Sequence, residues 1–311
     1  MSKERVYIVV LNWNGWRDTV LCLESVGRLL IDGFVLGVVV VDNGSMDGSV
    51  NEIRKRKYGI RNLEIIENGE NLGYAGGNNV GMQYALDKGA DWVMVLNNDT
   101  RVAKNLIIHL IEAGMKHKDA GALAPKIYFE KGCEFHKKRY KKGEAGKVIW
   151  SAGGEIDWQN VFGKNRGVDE VDKGQYDEEA EVDFASGACV LCRAKALVGV
   201  GLFDEKYFMY FEDADLAIRM RNKGWKTVYV PEACVWHKVA GSSGIGSGLN
   251  DYFIIRNRLY FGMRYASLRA KFALIRESFK IAGMGSEWQK KGAMDFYLGR
   301  RGRGSWNDEE G

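Results

Sequence analysis

The sequence predicts an α/β fold: a mostly parallel sheet with helices on both faces, followed by a helical C-terminal region. Three observations predict it. Four short apolar runs rich in Val and Ile recur in the first hundred residues, the pattern of strands buried on both faces. Segments with helical spacing alternate with them, which marks βαβ units. Polar clusters follow the strands, where ligands of such sheets sit, beyond the carboxyl ends.

The elements follow in order. Val6–Leu11 (VYIVVL) and Val35–Val41 (VLGVVVV) predict the first two strands, and Leu63–Glu67 and Trp92–Leu96 (WVMVL) the third and fourth. Asp18–Leu30, Ser49–Tyr58 and Gly77–Lys88 have helical spacing between them. The polar clusters are Asn12–Gly15, Asp42–Ser45, Asn68–Asn79 and Asn97–Thr100. Lys131–Lys147 is charged and aperiodic, and predicts an exposed loop. Strand character returns at Val182–Arg193, a helix is predicted over Glu212–Asn222 with Gly224 as its stop, and Thr227–Val230 is another strand. From Leu249 to about Ile281 the pattern is helical, basic and aromatic.

Length and composition bound the function. The chain has 311 residues, 46% hydrophobic and 28% charged, enough to bury one large α/β core. A net charge of only +4 does not point to nucleic acid as a partner. The charge is uneven: between Leu249 and Arg303 there are 12 Lys or Arg against 4 Asp or Glu. Five cysteines without regular spacing argue against a disulfide framework. Cys189 and Cys192 form C-x-x-C, but in a strand they face opposite ways and have no second pair, so no zinc site is expected. No uncharged stretch approaches the roughly 20 residues of a spanning helix. The expectation is a cytoplasmic protein, with peripheral membrane contact or a homodimer both compatible with the basic C-terminal region.

Five motifs suggest chemistry. Asp42, at the tip of a buried strand in VVVVDNGSMDGS, suits the imide N–H of uracil or thymine; a plain turn with a helix cap reads the same residues equally well. NGENLGYAGGNNVG is glycine-rich and runs into a helix, so its backbone and the helix N-terminus suit phosphate. It lacks GxGxxG after a first strand, which argues against a dinucleotide site. VMVLNNDT ends an apolar strand in Asn97, Asn98 and Asp99, hard oxygen ligands for Mg²⁺ or Mn²⁺. Glu212, Asp213 and Asp215 crowd a helix start behind Tyr207, Phe208, Tyr210 and Phe211. The helix dipole alone accounts for acids there, but mutual repulsion and partial desolvation also raise a carboxylate toward general-base range. His237 follows a strand in CVWHKVAGSSG, and Gly241–Gly244 after it suggest a mobile loop.

Together and in this order, IVVLNWNG, VVVVDNGSMDGS, NLGYAGGNNVG, VLNNDT, ASGACVLCR, GLFDEKYFMYFEDADL and WHKVAGSS resemble the family 2 glycosyltransferases of GT-A fold, particularly the rhamnosyltransferase-like branch. The resemblance covers roughly Arg5–Phe261. It implies a GT-A-type, Rossmann-like nucleotide-binding sheet in a catalytic domain over 1–247, with a nucleotide-binding half at 1–100 and an acceptor-binding half at 101–247. Residues 248–311 form the basic, aromatic helical region. It implies Asn12, Asn14, Asp42, Gly76, Asn79 and Asn98 at the donor nucleotide, and Asp99, His237 and Asn97 at an Mg²⁺ or Mn²⁺ ion. Asn97 stands where the family's Asp-x-Asp motif usually has an acid, so Asp99 becomes the main protein ligand. Glu212 and Asp213 match the catalytic pair, with Asp213 as base. Gly187, Ala188 and Trp236 fall near donor sugar and acceptor. The implied partners are a dTDP- or UDP-sugar and a glycan or lipid-linked acceptor. A nucleotidyltransferase is the competing enzyme class; it wants a basic glycine-rich loop after the first strand, where this chain has NWNGWRD with the single Arg17. A non-catalytic sugar-nucleotide-binding protein is the third reading.

Overall fold

The computed structural model describes residues 3–141, 143–239 and 247–307. The elements run β1 (Glu4–Asn12), α1 (Trp16–Val26), β2 (Phe34–Asp42), α2 (Ser49–Arg54), β3 (Leu63–Glu67), α3 (Gly73–Asp87), β4 (Trp92–Asn97), β5 (Thr100–Val102), α4 (Leu106–Lys116) and β6 (Ala120–Phe129). Then come β7 (Val148–Ser151), β8 (Gly154–Asp157), β9 (Phe162–Asn165), β10 (Glu170–Val171), β11 (Ala180–Val182), β12 (Cys189–Arg193), α5 (Ala194–Val200), α6 (Glu212–Arg221) and β13 (Lys226–His237). Helices α7 (Gly248–Tyr265), α8 (Leu268–Met284) and α9 (Glu287–Tyr297) complete it.

One sheet carries the molecule, in the order β10-β7-β6-β12-β4-β1-β2-β3, with β13 also paired to β6, β5 and β11. Strands β4, β1, β2 and β3 are parallel neighbours. Alternation puts Val6, Ile8 and Val10 of β1 in a core with α1 and α4, and Val9 in a second core with α3 on the other face. The α/β class expected from the sequence is the one observed. In β12, Cys189 joins the first core and Cys192 the second, so the two thiols lie on opposite faces, and burial keeps both protonated, Cys192 at about 12.

The register sets up the site. Asn12 pairs with Asp42 and Leu11 with Asn97, so β1, β2 and β4 end in one row. Strand β12 runs antiparallel to β4, with Cys189 opposite Leu96. The turn before β12 therefore stands at that same carboxyl edge. His237 lies opposite Thr100 of β5, which brings the end of β13 beside residues 97–99.

Three differences from the expected boundaries bear on packing. Helix α3 begins at Gly73, four residues early. A Cβ on Gly81 would stand 2.3 Å from Val9 Cγ1, and one on Gly77 2.4 Å from Leu11 Cδ1. These glycines let the helix lie close on β1. The strand expected over Val182–Arg193 is split into β11 and β12 by a turn at 183–188. Strand β13 is 12 residues long because a bulge between Val230 and Cys234 absorbs Pro231. No helix among the described residues is long and apolar enough to cross a membrane.

Candidate active site

The row of strand ends is held by side-chain brackets. Asn12 is fully buried; its amide donates to Asp42 Oδ2 (2.8 Å) and Ser45 Oγ (3.0 Å) and accepts from Thr19 Oγ1 (2.6 Å). Asp42 also accepts from the Ser45 N–H through Oδ1 (2.9 Å). Asn14, at φ 49°, accepts from the Met46 N–H. Asn98 donates to Thr19 Oγ1 and Gly15 O. The structure thus brings Asn12, Asn14, Asp42 and Asn98 together, but Asn12 serves as a frame for the Asp42 carboxylate, its whole amide already bonded within the protein.

Asp99 and His237 meet at the end of β4: His237 Nε2 stands 3.0 Å from Asp99 Oδ1. The imidazole is buried and met edge-on by Trp150 at 4.7 Å, and its Nδ1 has no protein partner. Two donors bound side by side on an octahedral Mg²⁺-like ion at about 2.1 Å lie about 3 Å apart, so this pair fits one face of a divalent cation. Among the described residues no group of three or more His, Cys, Asp or Glu converges as a metal cage. The remaining ligands of such an ion would come from neutral groups such as Asn97, from water or from a bound ligand.

The acid pair opens α6. Asp213 Oδ2 accepts from the Gly187 N–H (3.1 Å) and Oδ1 from the Ala214 N–H (2.7 Å). Glu212 is buried, and its Oε2 has no partner. Burial pushes both carboxyls above the usual range. Glu212 rises further because it faces the charge of Asp213, whereas backbone N–H groups oppose the rise at Asp213.

The turn at 185–188 links the acids to the strand ends. Gly187 O accepts from the Tyr74 hydroxyl (2.6 Å), and Ala188 O from the Asn97 N–H (2.9 Å). Burial, then the charges of Glu212 and Asp213 and, more weakly, Asp99, hold the Tyr74 hydroxyl in its protonated form. Through Gly187 and Ala188 this turn ties Asp213 to the end of β4. Tyr74 has no signal of its own in the sequence, since it sits in a run read as a glycine-rich loop.

Behind the acid pair the backbone is strained. Phe208, Tyr210 and Phe211 have φ of 64°, 66° and 73°, a conformation that non-glycine residues rarely adopt. Helix α7 holds it there. Asn257 Nδ2 donates to the carbonyls of Tyr207 (2.8 Å), Met209 (2.6 Å) and Tyr210 (3.1 Å), and Arg256 to that of Tyr207 (3.0 Å). Asp215, the third acid of the cluster, is fully buried among Arg219, Arg264, Tyr207 and Tyr265, and ties α6 to α7.

Three sequence-predicted residues lie apart from these contacts. Trp236 alternates with His237 along β13, stacks on Tyr128 and donates to Gly146 O. Asn79 uses its amide on Phe203 and Glu205. Gly76 faces Leu72 and Glu205. The loop expected at Gly241–Gly244 lies outside the described residues.

Comparison with known proteins agrees with this geometry. The family model described as glycosyl transferase family 2 matches residues 7–197. An N-acetylglucosaminyl-diphospho-decaprenol L-rhamnosyltransferase of Mycobacterium tuberculosis is 33% identical over 221 residues, 67% of this chain and 68% of the relative. The dTDP-rhamnosyl transferase RfbF of Shigella flexneri is 25% identical over 238 residues, covering 74% and 69%. Among solved structures, GalNAc-T7 with UDP, GalNAc and Mn²⁺ superposes with a TM-score of 0.60 at 16% identity over 92% of this chain, which spans only 58% of that protein. A mannosyltransferase of Pyrobaculum calidifontis with GDP-Man and Mn²⁺ gives 0.57 at 15% identity, covering 96% and 75%. These two likenesses establish the GT-A fold, and the family match over most of the chain, with the 33% relative, establishes that the protein belongs to glycosyltransferase family 2, inverting enzymes that use nucleotide-sugar donors.

Proposed function

We propose that this protein transfers a hexosyl group of rhamnose type from a dTDP- or UDP-linked donor to a hydroxyl of a glycan or lipid-linked saccharide. The observation that carries the reading is Asp213: its two oxygens are fixed by backbone N–H groups, on a turn bonded directly to the strand end that carries Asp99. The names of the two rhamnosyltransferase relatives support the donor class and acceptor type.

The chemistry follows from the charges. Asp213, stabilised by two N–H donors, is the more readily ionised member of the pair; Glu212, buried with one oxygen unbonded and facing Asp213, holds its proton more strongly. Asp213 takes the proton from the acceptor hydroxyl as its oxygen attacks the anomeric carbon opposite the diphosphate, and a single displacement inverts that centre. The Asp42 carboxylate, oriented by Asn12 and Ser45, receives the imide N–H of the base. Asp99 and His237 would hold a divalent cation, which when bound neutralises charge growing on the leaving diphosphate.

Two tests belong here. Transfer from a panel of dTDP-, UDP- and GDP-sugars onto saccharide acceptors reads the function itself. Excess chelator is expected to abolish it and Mn²⁺ to restore it at least as well as Mg²⁺, because imidazole suits Mn²⁺ better. Full activity in chelator sinks the metal assignment.

Gly187→Ala tests the turn. A Cβ there would stand 2.7 Å from the Tyr74 hydroxyl, so the peptide that fixes Asp213 must shift. Misplacement of a reacting group by about 1 Å costs up to 10²-fold. The expected result is a fall in kcat of that order with little change in melting temperature. Tyr74→Phe in the same chain relieves the clash and recovers part of the loss; no recovery counts against the account.

A further inference from the structure

The C-terminal helices divide into a structural and an exposed part. On α7, Tyr252, Phe253, Arg256 and Phe261 are buried, Arg258 pairs with Glu277, and Arg264 with Asp204 and Asp215. This corrects the expectation of one basic, aromatic membrane surface from Leu249 onward: Tyr252, Phe253 and Phe261 of α7 belong to the protein's own core, and Arg256 and Arg264 bond the segment 204–215 around the acid pair.

Helix α8 is different. It buries Ala270, Leu274 and Ser278 on one face. Away from that face Phe272 is 72% exposed and Phe279 68%, with Leu268 also exposed. At 100° per residue Leu268, Phe272, Ile275 and Phe279 fall within an arc of about 60°. Phe279 stacks on Tyr297 of α9, itself half exposed, with Met294 and Leu298 exposed nearby along the chain. Large aromatics in a stripe on an outer face are unusual for a surface that meets only water. Cations border the stripe: Arg269, Arg276 and Lys280 along one side and Lys271 along the other. The single acid of the helix, Glu277, is bonded to Arg258.

We infer that the outer face of α8, extended by Tyr297 of α9, docks the protein on an anionic membrane surface, with Phe272 and Phe279 in the headgroup region and the four cations on lipid phosphates. Charge decides the occupant. Two copies meeting through this stripe would bring eight cations together, whereas anionic lipid complements them. The arrangement also has a mechanical consequence. The Arg258–Glu277 pair joins α8 to α7, and the next residue, Asn257, holds the carbonyls before the acid pair. Helix α8 is thus fastened to the helix that holds the loop before the acid pair. The inference rests on the proposed function for its purpose, since a lipid-linked acceptor lies in a bilayer, but not for its evidence.

Co-sedimentation of the full chain with vesicles tests it. Binding is expected to vesicles of phosphatidylcholine mixed with phosphatidylglycerol, and not to phosphatidylcholine alone, and to fall as salt rises. Phe272→Ser is expected to weaken binding roughly tenfold or more, and Lys280→Gln about fivefold, with melting temperature and transfer to a lipid-free saccharide unchanged. Phe272 makes no ring contact among the described residues and is 72% exposed, so its variant should fold. Retention of the folded protein in the supernatant overturns the inference, as does equal binding to neutral vesicles. A dimer in light scattering that Phe272→Ser dissociates overturns it in favour of a second copy. Loss of docking with transfer intact leaves the proposed function standing, whereas docking without transfer to any acceptor sinks that function alone.

Discussion

Asp213→Asn is expected to lower transfer by about 10²–10⁴-fold while the affinity for the nucleotide sugar changes little. The carboxamide keeps the shape but has a single acceptor oxygen, so it keeps one of the two bonds from the Gly187 and Ala214 N–H groups, while the Tyr74 hydroxyl and the Asn97 N–H still hold the turn. What it loses is the capacity to take a proton. The nucleotide is expected to bind through β1, β2 and β4, whose brackets do not involve Asp213. Glu212→Gln is the control. If Glu212 is already neutral, the amide is a close substitute, and transfer should remain within about tenfold of wild type, well short of the loss at Asp213. Stability gives a second readout. Because the pKa of folded Glu212 lies above its unfolded value, its protonated form favours the fold at low pH. That contribution is lost as the pH rises through the elevated pKa. Glu212→Gln should therefore melt at or above the wild-type temperature at neutral pH and lose part of the wild type's pH dependence. The pH–rate profile should fall on its acid side at a pH above the ordinary carboxylate range, where Asp213 is protonated. Near-normal turnover in Asp213→Asn would remove it from the role of base.

Much of this was legible in the sequence, and the illegible part has a physical pattern. Strands β1 to β4 are readable because burial on both faces demands unbroken apolar runs. The polar strand ends are readable because a parallel register places them in a row. Helix α3 was read too short because glycine disfavours helices in water; here tertiary packing outweighs that preference, since the helix must lie against Val9 and Leu11. Asn79 and Trp236 carried a family motif into the site by position, yet one ties α3 to Phe203 and the other packs on the far side of β13. Tyr74 and Asn257 went unread for a different reason. Each acts by bonding to a carbonyl remote in the chain: Gly187 is 113 residues from Tyr74, and Tyr207 is 50 from Asn257. A contact of that range leaves no periodicity or local spacing to find. Arg256 shows the same blindness. In sequence it is one more cation among aromatics, and in the fold it is fully buried on backbone oxygens.

Asn257→Ala is expected to produce a loss comparable to that of removing the base, from a residue that touches no reacting atom. Its amide holds three carbonyls of the segment that leads into Glu212 and Asp213. Three aromatics in that segment are kept at positive φ, a conformation that costs about 1–3 kcal/mol per residue. The strain persists because the bonds from α7 outweigh relaxation. Truncation to alanine takes this donor from the part-buried carbonyls of Met209 and Tyr210, at up to about 1–3 kcal/mol each, and frees the segment to relax, which moves the start of α6. The predicted signature is a kcat lowered about 10²-fold, a donor KM within a few-fold of wild type, and a melting temperature lowered by several degrees. Asn257→Asp separates bonding from packing. It has the same volume but no N–H donor, and sets a negative group against the carbonyl oxygens. It should do at least as badly as alanine. If the aspartate variant were active while the alanine variant was not, space filling rather than donation would be what α7 supplies. If both kept their kcat and lost only stability, the strained segment would hold the acid pair unaided, and Asn257 would be a structural residue of the core.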